Sequence, residues 1–478
     1  MYMTKLYPKP ASFAEQEGEP FRFGAKVRIL VPKSLSADVC GNLARLWKRF
    51  SFDASTAEIA PVLDAWQIVV GNASPIDAGE YYAIRVDGAG ASVAAVSEKA
   101  LIDGFNTLVQ LITPECLDEG REALSITPAD VCDKPSMGVR MIHLCVFPES
   151  RIATIEKAIH MAGFLKLTHV VLEFWGMLKY DCFPALGWKQ AFTKAQVKPL
   201  IDLAHSYGME VIPMINHFGH ATQSRIGMGR HTVLNENPRL QMYFEPDGWT
   251  WCTTNPDTYK LLSEIRAELM ELCGDGSYFH LGFDEAYSFA TCPECRKHDP
   301  AELLAGYINN LTADLAKDGR RPIIWHDELV RREAFRELTD EFVEANGQNH
   351  GTDAALDLLD RRVIIADWNY SCKKGNPTTP YFIGKGFDVL TCPWDNLENI
   401  QCHANVARES GALGVMLTTW DHLPDFLNRL PIAAAQLWSG EILPRVPAYL
   451  TETASILRKL YDTDEYVDMG WLNREVNG

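Results

Sequence analysis

Eight short β-rich segments, alternating with longer helical stretches, constrain the fold of this chain more than any other feature of its sequence. They cover residues 139–145, 168–174, 210–216, 278–282, 322–325, 363–368, 388–392 and 414–419. Strands separated by helical crossovers form a parallel sheet, and eight of them close most simply into a barrel. The sequence therefore predicts an α/β fold, a (β/α)₈ barrel, with helices such as the one over residues 257–273 on its outside.

The residues before the barrel have a different pattern. Strands are predicted over residues 26–31, 66–71, 81–86 and 91–96, with helices over residues 34–50 and 104–112. A polar run with prolines, residues 127–135, follows this region. We predict a small α+β domain over residues 1–130 and the barrel with C-terminal helices over residues 131–478.

Charge and cysteine usage narrow the function classes. The 478 residues carry a net charge of −18 and include 12 cysteines. No Lys/Arg-rich block and no apolar run long enough to span a bilayer is found in the sequence, so nucleic acid and membranes are not expected partners. The N-terminus lacks an apolar signal core, and scattered cysteines are typical of reduced thiols, so a cytoplasmic location is expected.

Polar and aromatic residues follow the predicted strands, where active sites of such barrels lie. These strand-end residues are Glu173, Trp175, Asn216, His217, His220, Asp284, Glu285, Trp325, Asp327, Trp368, Tyr370, Trp394, Asp395, Trp420 and Asp421. A single tryptophan at a strand end is usually core. Tryptophans after four strands in a row, each near an acid or a phenol, favour a sugar-binding pocket, because indoles stack on apolar sugar faces.

The fourth predicted strand ends at Gly282 and is followed at once by two carboxylates, Asp284 and Glu285. Carboxylates placed there between Phe283 and Tyr287 are expected in partly apolar surroundings that separate their pKa values, which suits acid–base work. An exposed pair that caps a helix is the alternative.

The stretch His280-Leu281-Gly282-Phe283-Asp284-Glu285 resembles the His-x-Gly-x-Asp-Glu motif of the β-N-acetylhexosaminidases of glycoside hydrolase family 20. The predicted N-terminal domain is similar to the one that precedes the family's barrel. The resemblance implies that Glu285 is the general acid/base and that Asp284 orients the 2-acetamido group of the substrate. It also implies that His280 supports this pair.

The resemblance implies further substrate-binding residues. Arg140 matches an arginine that binds the hydroxyls on carbons three and four, and His220 in Phe218-Gly219-His220 matches a histidine that supports the acid. Trp325, Trp368 and Trp420 resemble the walls of the acetamido pocket, to which Tyr370 and Trp394 would add. Asp395 and Asp421 are candidates for binding the hydroxyls on carbons four and six.

The sequence departs from the family pattern at two places. Phe283 stands at the motif's second glycine, and Leu172-Glu173-Phe174-Trp175 replaces the usual Asp-Asp after the second strand. Glu173 could substitute for the missing aspartate partner of the histidine. This strand resembles the hexosaminidase D branch, where a glutamate also ends it.

The function implied by the resemblance is a retaining exo-β-N-acetylhexosaminidase that uses the substrate's own acetamide as nucleophile. Its partner would be a glycan with a terminal β-linked GlcNAc or GalNAc, with no cofactor. The alternatives are the same fold acting on a modified hexosamine, sulfated or unacetylated, and a barrel that binds glycans without cleaving them. A metal-dependent hydrolase would need His217, His220 and His326 to converge. The many aromatic side chains could equally form the interface of a homodimer.

The CxxC pair Cys292 and Cys295, with His298 three residues later, lies just beyond the carboxylates. Zinc needs a fourth ligand, and the only other adjacent Cys/His pair is Cys402 and His403. The sequence thus favours a turn that shapes the loop and holds no metal, with a structural metal as the alternative.

Overall fold

The computed structural model describes residues 6–116, 122–221, 233–420, 423–427, 429–440, 456, 459 and 460. Within these ranges the chain forms a closed eight-stranded barrel preceded by a domain with a seven-stranded and a three-stranded sheet. The predicted (β/α)₈ barrel and its small N-terminal domain are confirmed.

The barrel strands pair in chain order, and each pair is parallel. They are β11 (Val139–Cys145), β12 (His169–Glu173), β13 (Glu210–Met214), β14 (Tyr278–His280), β15 (Arg321–Trp325), β16 (Ile364–Asp367), β17 (Asp388–Thr391) and β18 (Gly414–Thr418). β18 closes the barrel by pairing with β11. All eight predicted segments form strands, most of them one or two residues shorter than predicted.

Side chains alternate between the inside of the barrel and its helical coat. Met141, Val171 and Ile212 pack inside with Met416, whereas Ile142 and Val170 belong to the larger core between strands and helices. Both faces of every strand are therefore apolar, as expected for a parallel barrel. This explains why the strands appear in the sequence as nearly continuous hydrophobic runs.

The strands β1–β10 belong to the N-terminal domain. They are β1 (Ser12–Glu15), β2 (Phe21–Phe23), β3 (Lys26–Pro32), β4 (Thr56–Leu63), β5 (Gln67–Gly71), β6 (Tyr82–Asp87), β7 (Gly90–Ala95), β8 (Ile112–Cys116), β9 (Glu122–Ile126) and β10 (Ala129–Asp133). The large sheet has the order β1-β10-β6-β7-β5-β3-β4, and the small sheet has the order β2-β9-β8. The four strands predicted here are all present. Because β10 pairs with β6, residues up to Asp133 belong to this sheet, and the boundary at 130/131 stays a prediction.

The α-helices are α1 (Ala37–Phe50), α2 (Glu98–Gln110), α3 (Ile152–Phe164), α4 (Lys194–Ser206), α5 (Val233–Glu236), α6 (Pro256–Cys273), α7 (Pro300–Lys317), α8 (Gly347–His350), α9 (Thr378–Gly384), α10 (Leu397–Ser410), α11 (Leu423–Phe426) and α12 (Leu430–Ser439). Asn255 and Asp299 cap α6 and α7, and each is followed by a proline at the first helical position. These caps make both helix starts readable in the sequence. Helix α2 begins at Glu98, six residues before its predicted start, because Ser97 caps it.

A buried ionic network joins the N-terminal domain to the amino-terminal end of the barrel. Lys166 Nζ lies 3.2 Å from Asp133 Oδ2 and donates to Tyr82 Oη at 2.7 Å. Trp438 Nε1 also donates to Asp133 at 3.1 Å, and Arg140 stacks over the Trp438 ring. We call these residues, with Asp103 and Lys99, the basal network.

None of the helices in the described ranges is both long enough and apolar enough to cross a membrane.

Candidate active site

The turns after β13 and β14 form the centre of the site, and each requires a glycine where the two turns meet. Gly282 has φ +75°, and a Cβ there would lie 1.4 Å from Asn216 Oδ1. Gly219, before His220, approaches Asp284 so closely that a Cβ would lie 2.0 Å from its carbonyl oxygen. The glycines of the two predicted motifs are therefore explained by contact between the turns after β13 and β14.

Several non-glycine residues around this turn have positive φ angles. They are Trp175 (43°), His220 (56°), Phe283 (81°), Glu285 (49°) and Trp420 (41°). Such conformations cost on the order of 1–3 kcal/mol each and persist where the surrounding structure holds them. Their concentration at the carboxyl ends of the strands marks this face as the candidate site.

His220, Asp284 and Glu285 converge on one nitrogen atom. His220 Nε2 lies 3.2 Å from Asp284 Oδ2 and 3.1 Å from Glu285 Oε2. Burial alone would lower the pKa of His220, but the charges of Asp284 and Glu285 outweigh it and raise the pKa to about 10. The imidazole is therefore protonated at neutral pH, and its Nε2–H group donates a hydrogen bond to the carboxylate pair.

The two oxygen atoms of Asp284 differ. Oδ2 contacts His220, whereas Oδ1 is buried and has no hydrogen-bond partner among the described residues. A buried carboxylate oxygen without a donor is costly and is rarely left so in a purely structural position. Asp284 Oδ1 is thus available to accept a hydrogen bond from a ligand.

Two more buried acids lie beneath the pair. Asp327 Oδ2 accepts from the Glu285 amide at 3.0 Å, and Glu328 Oε1 accepts from the Ala286 amide at 2.9 Å. Burial, together with the nearby Asp284 charge, raises the pKa of Asp327 to about 7. Burial and then the charge of Asp327 raise the pKa of Glu328 well above its usual range. These acids fix the backbone of residues 285 and 286.

Glu344, Trp249 and Tyr287 complete the surroundings of Glu285 and were not predicted as site residues. Burial and then the Glu285 charge raise the pKa of Glu344 to about 7. Trp249 Nε1 donates to the Glu285 carbonyl, and its ring lies 4.7 Å from His220 and 5.5 Å from Tyr287. The Trp249-Thr250-Trp251 run, rich in aromatics, was the one available signal for Trp249. Glu344 does not directly follow a predicted strand, so the sequence offered no signal for it.

The predicted aromatic residues form a continuous wall. Ring centroids are 5.7 Å apart for Trp325–Trp420, 5.2 Å for Trp368–Tyr370 and 5.5 Å for Tyr370–Trp394. Trp420 Nε1 donates to Tyr370 Oη at 2.7 Å, and Trp368 Nε1 donates to Asp327 Oδ1 at 3.0 Å. Trp325 is buried at the base, whereas Tyr370, Trp394 and Trp420 are partly exposed. The structure therefore brings these five residues together.

Glu173 and Trp175 lie under the site. The Glu173 carboxylate is fully buried and accepts from His143 Nε2 at 2.9 Å, Cys145 Sγ at 3.4 Å, Asn216 Nδ2 at 3.4 Å and Trp175 Nε1. The prediction that Glu173 binds substrate is wrong, because the protein itself uses both of its oxygen atoms. Trp175 is buried too, and its ring stacks on His220. Glu173 thus supports His220 through Trp175 and does not pair with it directly.

Arg140 is a second correction. It occupies the second position of β11, at the amino-terminal end of the barrel, and is 1% exposed. Its guanidinium donates to the carbonyls of Lys166, Met137 and Gly138. The predicted contact with sugar hydroxyls is wrong, because Arg140 belongs to the basal network at the opposite end from Asp284.

The remaining predicted residues fall in three groups. His280 is buried; its Nδ1 accepts from the Gly282 amide at 3.1 Å, and burial lowers its pKa well below the usual value. It therefore holds the turn as a neutral imidazole. Asp395 is partly exposed in the loop after β17, and its role stays a prediction. Asp421 lies outside the described residues.

The three histidines of the metal-hydrolase alternative do not converge. His217 Nδ1 contacts the carbonyl of Ile215, and His326 Nε2 contacts the carbonyl of Glu344. Within the described ranges, the groups that could hold a metal ion are His143, Cys145 and Glu173, and Glu245, Cys252, Cys292 and Cys295. Neither contains a histidine of that alternative.

Comparison with protein families yields two matches. The catalytic domain of glycosyl hydrolase family 20 matches residues 179–411, and domain 2 of the same family matches residues 3–133. The first match falls within the barrel, and the second corresponds to the N-terminal domain.

Curated relatives are distant. Hexosaminidase D of Bos taurus is 21% identical over 325 residues, which cover 63% of this chain and 90% of that protein. Lacto-N-biosidase of Bifidobacterium bifidum is 23% identical over 269 residues, or 52% of this chain. The chain spans only 22% of the length of this Lacto-N-biosidase and 30% of the probable beta-hexosaminidase fdl of Drosophila melanogaster.

Solved structures share the fold. The chitobiase of Flavobacterium johnsoniae has a TM-score of 0.69 at 17% identity, covering 96% of this chain and 73% of its own. The β-N-acetylhexosaminidase of Streptomyces coelicolor has a TM-score of 0.66 at 18% identity, covering 96% and 97%. At these identities the similarity establishes the fold alone.

Proposed function

Because the chain belongs to glycosyl hydrolase family 20, we propose that it is a retaining exo-β-N-acetylhexosaminidase that removes terminal β-linked GlcNAc or GalNAc. The observation that carries this proposal is the buried Oδ1 of Asp284, next to Glu285, which has no hydrogen-bond partner within the described ranges. An acetamido N–H is a donor that would satisfy this oxygen atom.

The two carboxylates take different roles in the proposed reaction. The acetamido carbonyl oxygen attacks the anomeric carbon while Glu285 gives a proton to the leaving glycosidic oxygen, which breaks the glycosidic bond. Asp284 accepts the acetamido N–H and stabilises the positive oxazolinium that forms. Glu285 then takes a proton from water, whose oxygen attacks the anomeric carbon; the bond from this carbon to the acetamido oxygen breaks, which opens the oxazolinium ring and restores the acetamide with net retention.

The placement of the carboxylates favours this route over a protein nucleophile. Mechanisms with two carboxylates need them on opposite faces of the sugar, about 5–9.5 Å apart. Asp284 and Glu285 instead contact the same nitrogen of His220, at 3.2 and 3.1 Å. A nucleophile supplied by the substrate removes the need for a second carboxylate across the ring.

The aromatic wall supports a role in binding the acetamide. Tyr370 Oη accepts from Trp420 Nε1 at 2.7 Å, so its own proton can be given to a ligand acceptor. Burial raises the pKa of Tyr370 well above its usual value, which keeps that proton in place. Trp325, Trp368 and Trp420 offer apolar surface to an acetamide methyl group.

An alternative substrate is a modified hexosamine. A sulfated sugar would bring a negative charge towards Asp284, Glu285 and Glu344, which disfavours it. An unacetylated hexosamine carries an ammonium that these carboxylates would attract, but it lacks the acetamide nucleophile. The acidic surroundings therefore favour an unacetylated sugar as a ligand more than as a substrate.

The test is hydrolysis of 4-nitrophenyl β-GlcNAc and β-GalNAc by the wild type, Glu285→Gln and Asp284→Asn. We expect kcat to fall about 10²–10⁴-fold in Glu285→Gln and about 10²–10³-fold in Asp284→Asn. The loss in Glu285→Gln should shrink for more acidic phenol leaving groups, which need less protonation. Fluorination of the N-acyl group should slow the wild type progressively, because it weakens the acetamide nucleophile.

Glu294→Gln is the matched control, because it makes the same change at an exposed side chain in the same loop. It should retain wild-type rates. A thiazoline analogue of the oxazolinium should inhibit the wild type. If the protein cleaves neither substrate but binds the thiazoline, a modified hexosamine becomes the better assignment. If it neither cleaves nor binds, a glycan-binding barrel replaces the proposal.

A further inference from the structure

Three cysteines and a glutamate come together beside the active site, on two loops that are distant in the sequence. Cys252 and Glu245 lie in the segment before α6, and Cys292 and Cys295 lie after β14. All four are buried, and one ligand atom from each lies within 4.8 Å of the others. We call this set the cysteine cluster.

The sulfur separations match those around a tetrahedral zinc ion. Cys252 Sγ lies 3.8 Å from Cys292 Sγ and 3.7 Å from Cys295 Sγ. Zinc binds thiolate sulfur at about 2.3 Å, and a tetrahedral edge is about 1.6 times this length, or about 3.8 Å. A disulfide needs about 2.05 Å and could use only two of the three sulfur atoms.

Glu245 has the properties of a fourth ligand. Its Oε2 accepts from the amides of Cys292 at 2.6 Å and Thr291 at 3.0 Å, and from the Thr291 hydroxyl. Its Oε1 is buried with no hydrogen-bond partner in the described part of the chain. A fully buried carboxylate is stable only when paired or bound to a metal, and this carboxylate has one oxygen atom that the protein leaves unused.

Further contacts orient the sulfur atoms. The Cys295 amide donates to Cys292 Sγ at 3.2 Å, and Thr254 Oγ1 lies 3.2 Å from Cys295 Sγ and 3.5 Å from Cys252 Sγ. Donors around a thiolate fix its direction and stabilise its charge. The group of His143, Cys145 and Glu173 differs, because its carboxylate already accepts on both oxygen atoms.

We propose that Glu245, Cys252, Cys292 and Cys295 bind a structural Zn²⁺ ion. A closed set of four protein ligands with three thiolates is typical of structural zinc and leaves no position for substrate. Binding would release the thiol protons, so that three thiolates and one carboxylate surround the ion.

The proposed ion would tie together the two loops that support the acid. Glu285 lies seven residues before Cys292, and Trp249, between Glu245 and Cys252, donates to the Glu285 carbonyl. Trp249 also packs against His220. Zinc would therefore fix the position of Trp249 relative to the Glu285 backbone. This role is structural and does not depend on the proposed reaction.

The test is metal analysis of the untagged full chain, purified under reducing conditions from cells supplied with zinc. We expect about one zinc per chain in the wild type and less than about a tenth in Cys292→Ser and in Cys252→Ser. Cys402→Ser is the matched control, because Cys402 is as buried as Cys252 but lies on α10, and it should retain the zinc. Glu245→Gln should release zinc to a chelator faster than the wild type.

A second measurement applies if the serine variants do not fold. The wild type, stripped of metal by a chelator, should lose thermal stability, and Zn²⁺ but not Mg²⁺ should restore it. Cobalt added to the stripped protein should give the intense bands of tetrahedral thiolate coordination. Folded wild type that has reduced thiols and takes up no stoichiometric zinc or cobalt would overturn the proposal. Equal zinc loss in Cys402→Ser would overturn the assignment of ligands. Neither result depends on hydrolysis of any sugar.

Discussion

The two ends of the barrel both bury charged groups, but they pair them differently. At the amino-terminal end, the basal network sets Lys166 against Asp133, and Lys99 against Asp103. At the carboxyl end, Asp284, Glu285 and Asp327 lie close together with His220 as their cation. The first end neutralises its charges, whereas the second accumulates acids.

Hydrogen bonding separates the ends in the same way. Arg140 donates to three carbonyls, and both oxygen atoms of Asp133 accept from Trp438. In contrast, Asp284 Oδ1 and Trp325 Nε1 are buried without partners among the described residues. Among the described residues the basal network leaves none of its buried side-chain N or O atoms unpaired, so incomplete pairing separates the carboxyl end from this network.

The largest effect on stability is expected at the basal network. Lys166→Met should lower the free energy of unfolding by about 3–5 kcal/mol, because it leaves Asp133 buried without its cation. Urea denaturation measures this change. Lys33→Met removes a surface partner of Asp64 and should cost less than about 1 kcal/mol. A stable Lys166→Met that has lost hydrolysis would mean that this end, too, is functional.

Arg140→Met should give the next largest loss, about 2–3 kcal/mol, because buried carbonyls lose their donor. KM for the sugar should stay within about twofold of the wild type, since Arg140 lies at the far end of the barrel. Steady-state kinetics and thermal unfolding of the same preparation separate the two effects. A rise in KM with unchanged stability would instead restore the sugar-binding assignment made from the sequence.

Arg140 illustrates what the sequence could predict and where it misled. The eight strands were predictable because hydrophobic runs and their polar ends are local features. The predicted strand over residues 139–145 already put Arg140 at its beginning, and hence at the wrong end for sugar binding. The family resemblance nevertheless suggested a ligand role. Strand direction was the better guide.

Long-range partners were not predictable. Cys252 and Glu245 precede Cys292 by 40 and 47 residues, and nothing local links them to the CxxC pair. Glu173 was recognised as unusual, but only the structure shows that Trp175 stands between it and His220. Local patterns thus identified the carboxylates and the aromatic wall, whereas the residues that hold them in place needed the folded chain.

Glu328→Gln should stabilise the carboxyl end in a pH-dependent way. The raised pKa of Glu328 means that its stabilising contribution is complete below the pKa of the unfolded chain and is lost as pH rises through the folded value. A glutamine can accept from the Ala286 amide and donate to Thr352 Oγ1, so it replaces the neutral acid. The free energy of unfolding of Glu328→Gln should equal that of the wild type at pH 4 and exceed it by at least about 1 kcal/mol at pH 8.

Urea denaturation of both proteins from pH 4 to pH 8 measures this difference. Glu302→Gln, on the first turn of α7, is the control and should not reproduce the rising gain. A gain that is equal at all pH values would show that the Glu328 carboxyl is not strained by burial. A loss at pH 8 would show that its negative charge is needed, which would make the carboxyl end resemble the basal network.

The smallest effect is expected for Tyr370→Phe, which removes one hydroxyl from the aromatic wall. Trp420 Nε1 then loses its acceptor, but the partly exposed site can hydrate it, so stability should change by less than about 1 kcal/mol. If the Tyr370 hydroxyl donates to the acetamide, kcat/KM should fall about 3–10-fold, equivalent to one hydrogen bond. Tyr381→Phe, at an exposed ring on α9, should leave kcat/KM unchanged. A large stability loss with unchanged kcat/KM would show that Tyr370 is a structural residue like those of the basal network. Incomplete hydrogen bonding would then mark Asp284 as a ligand-binding residue but not the aromatic wall.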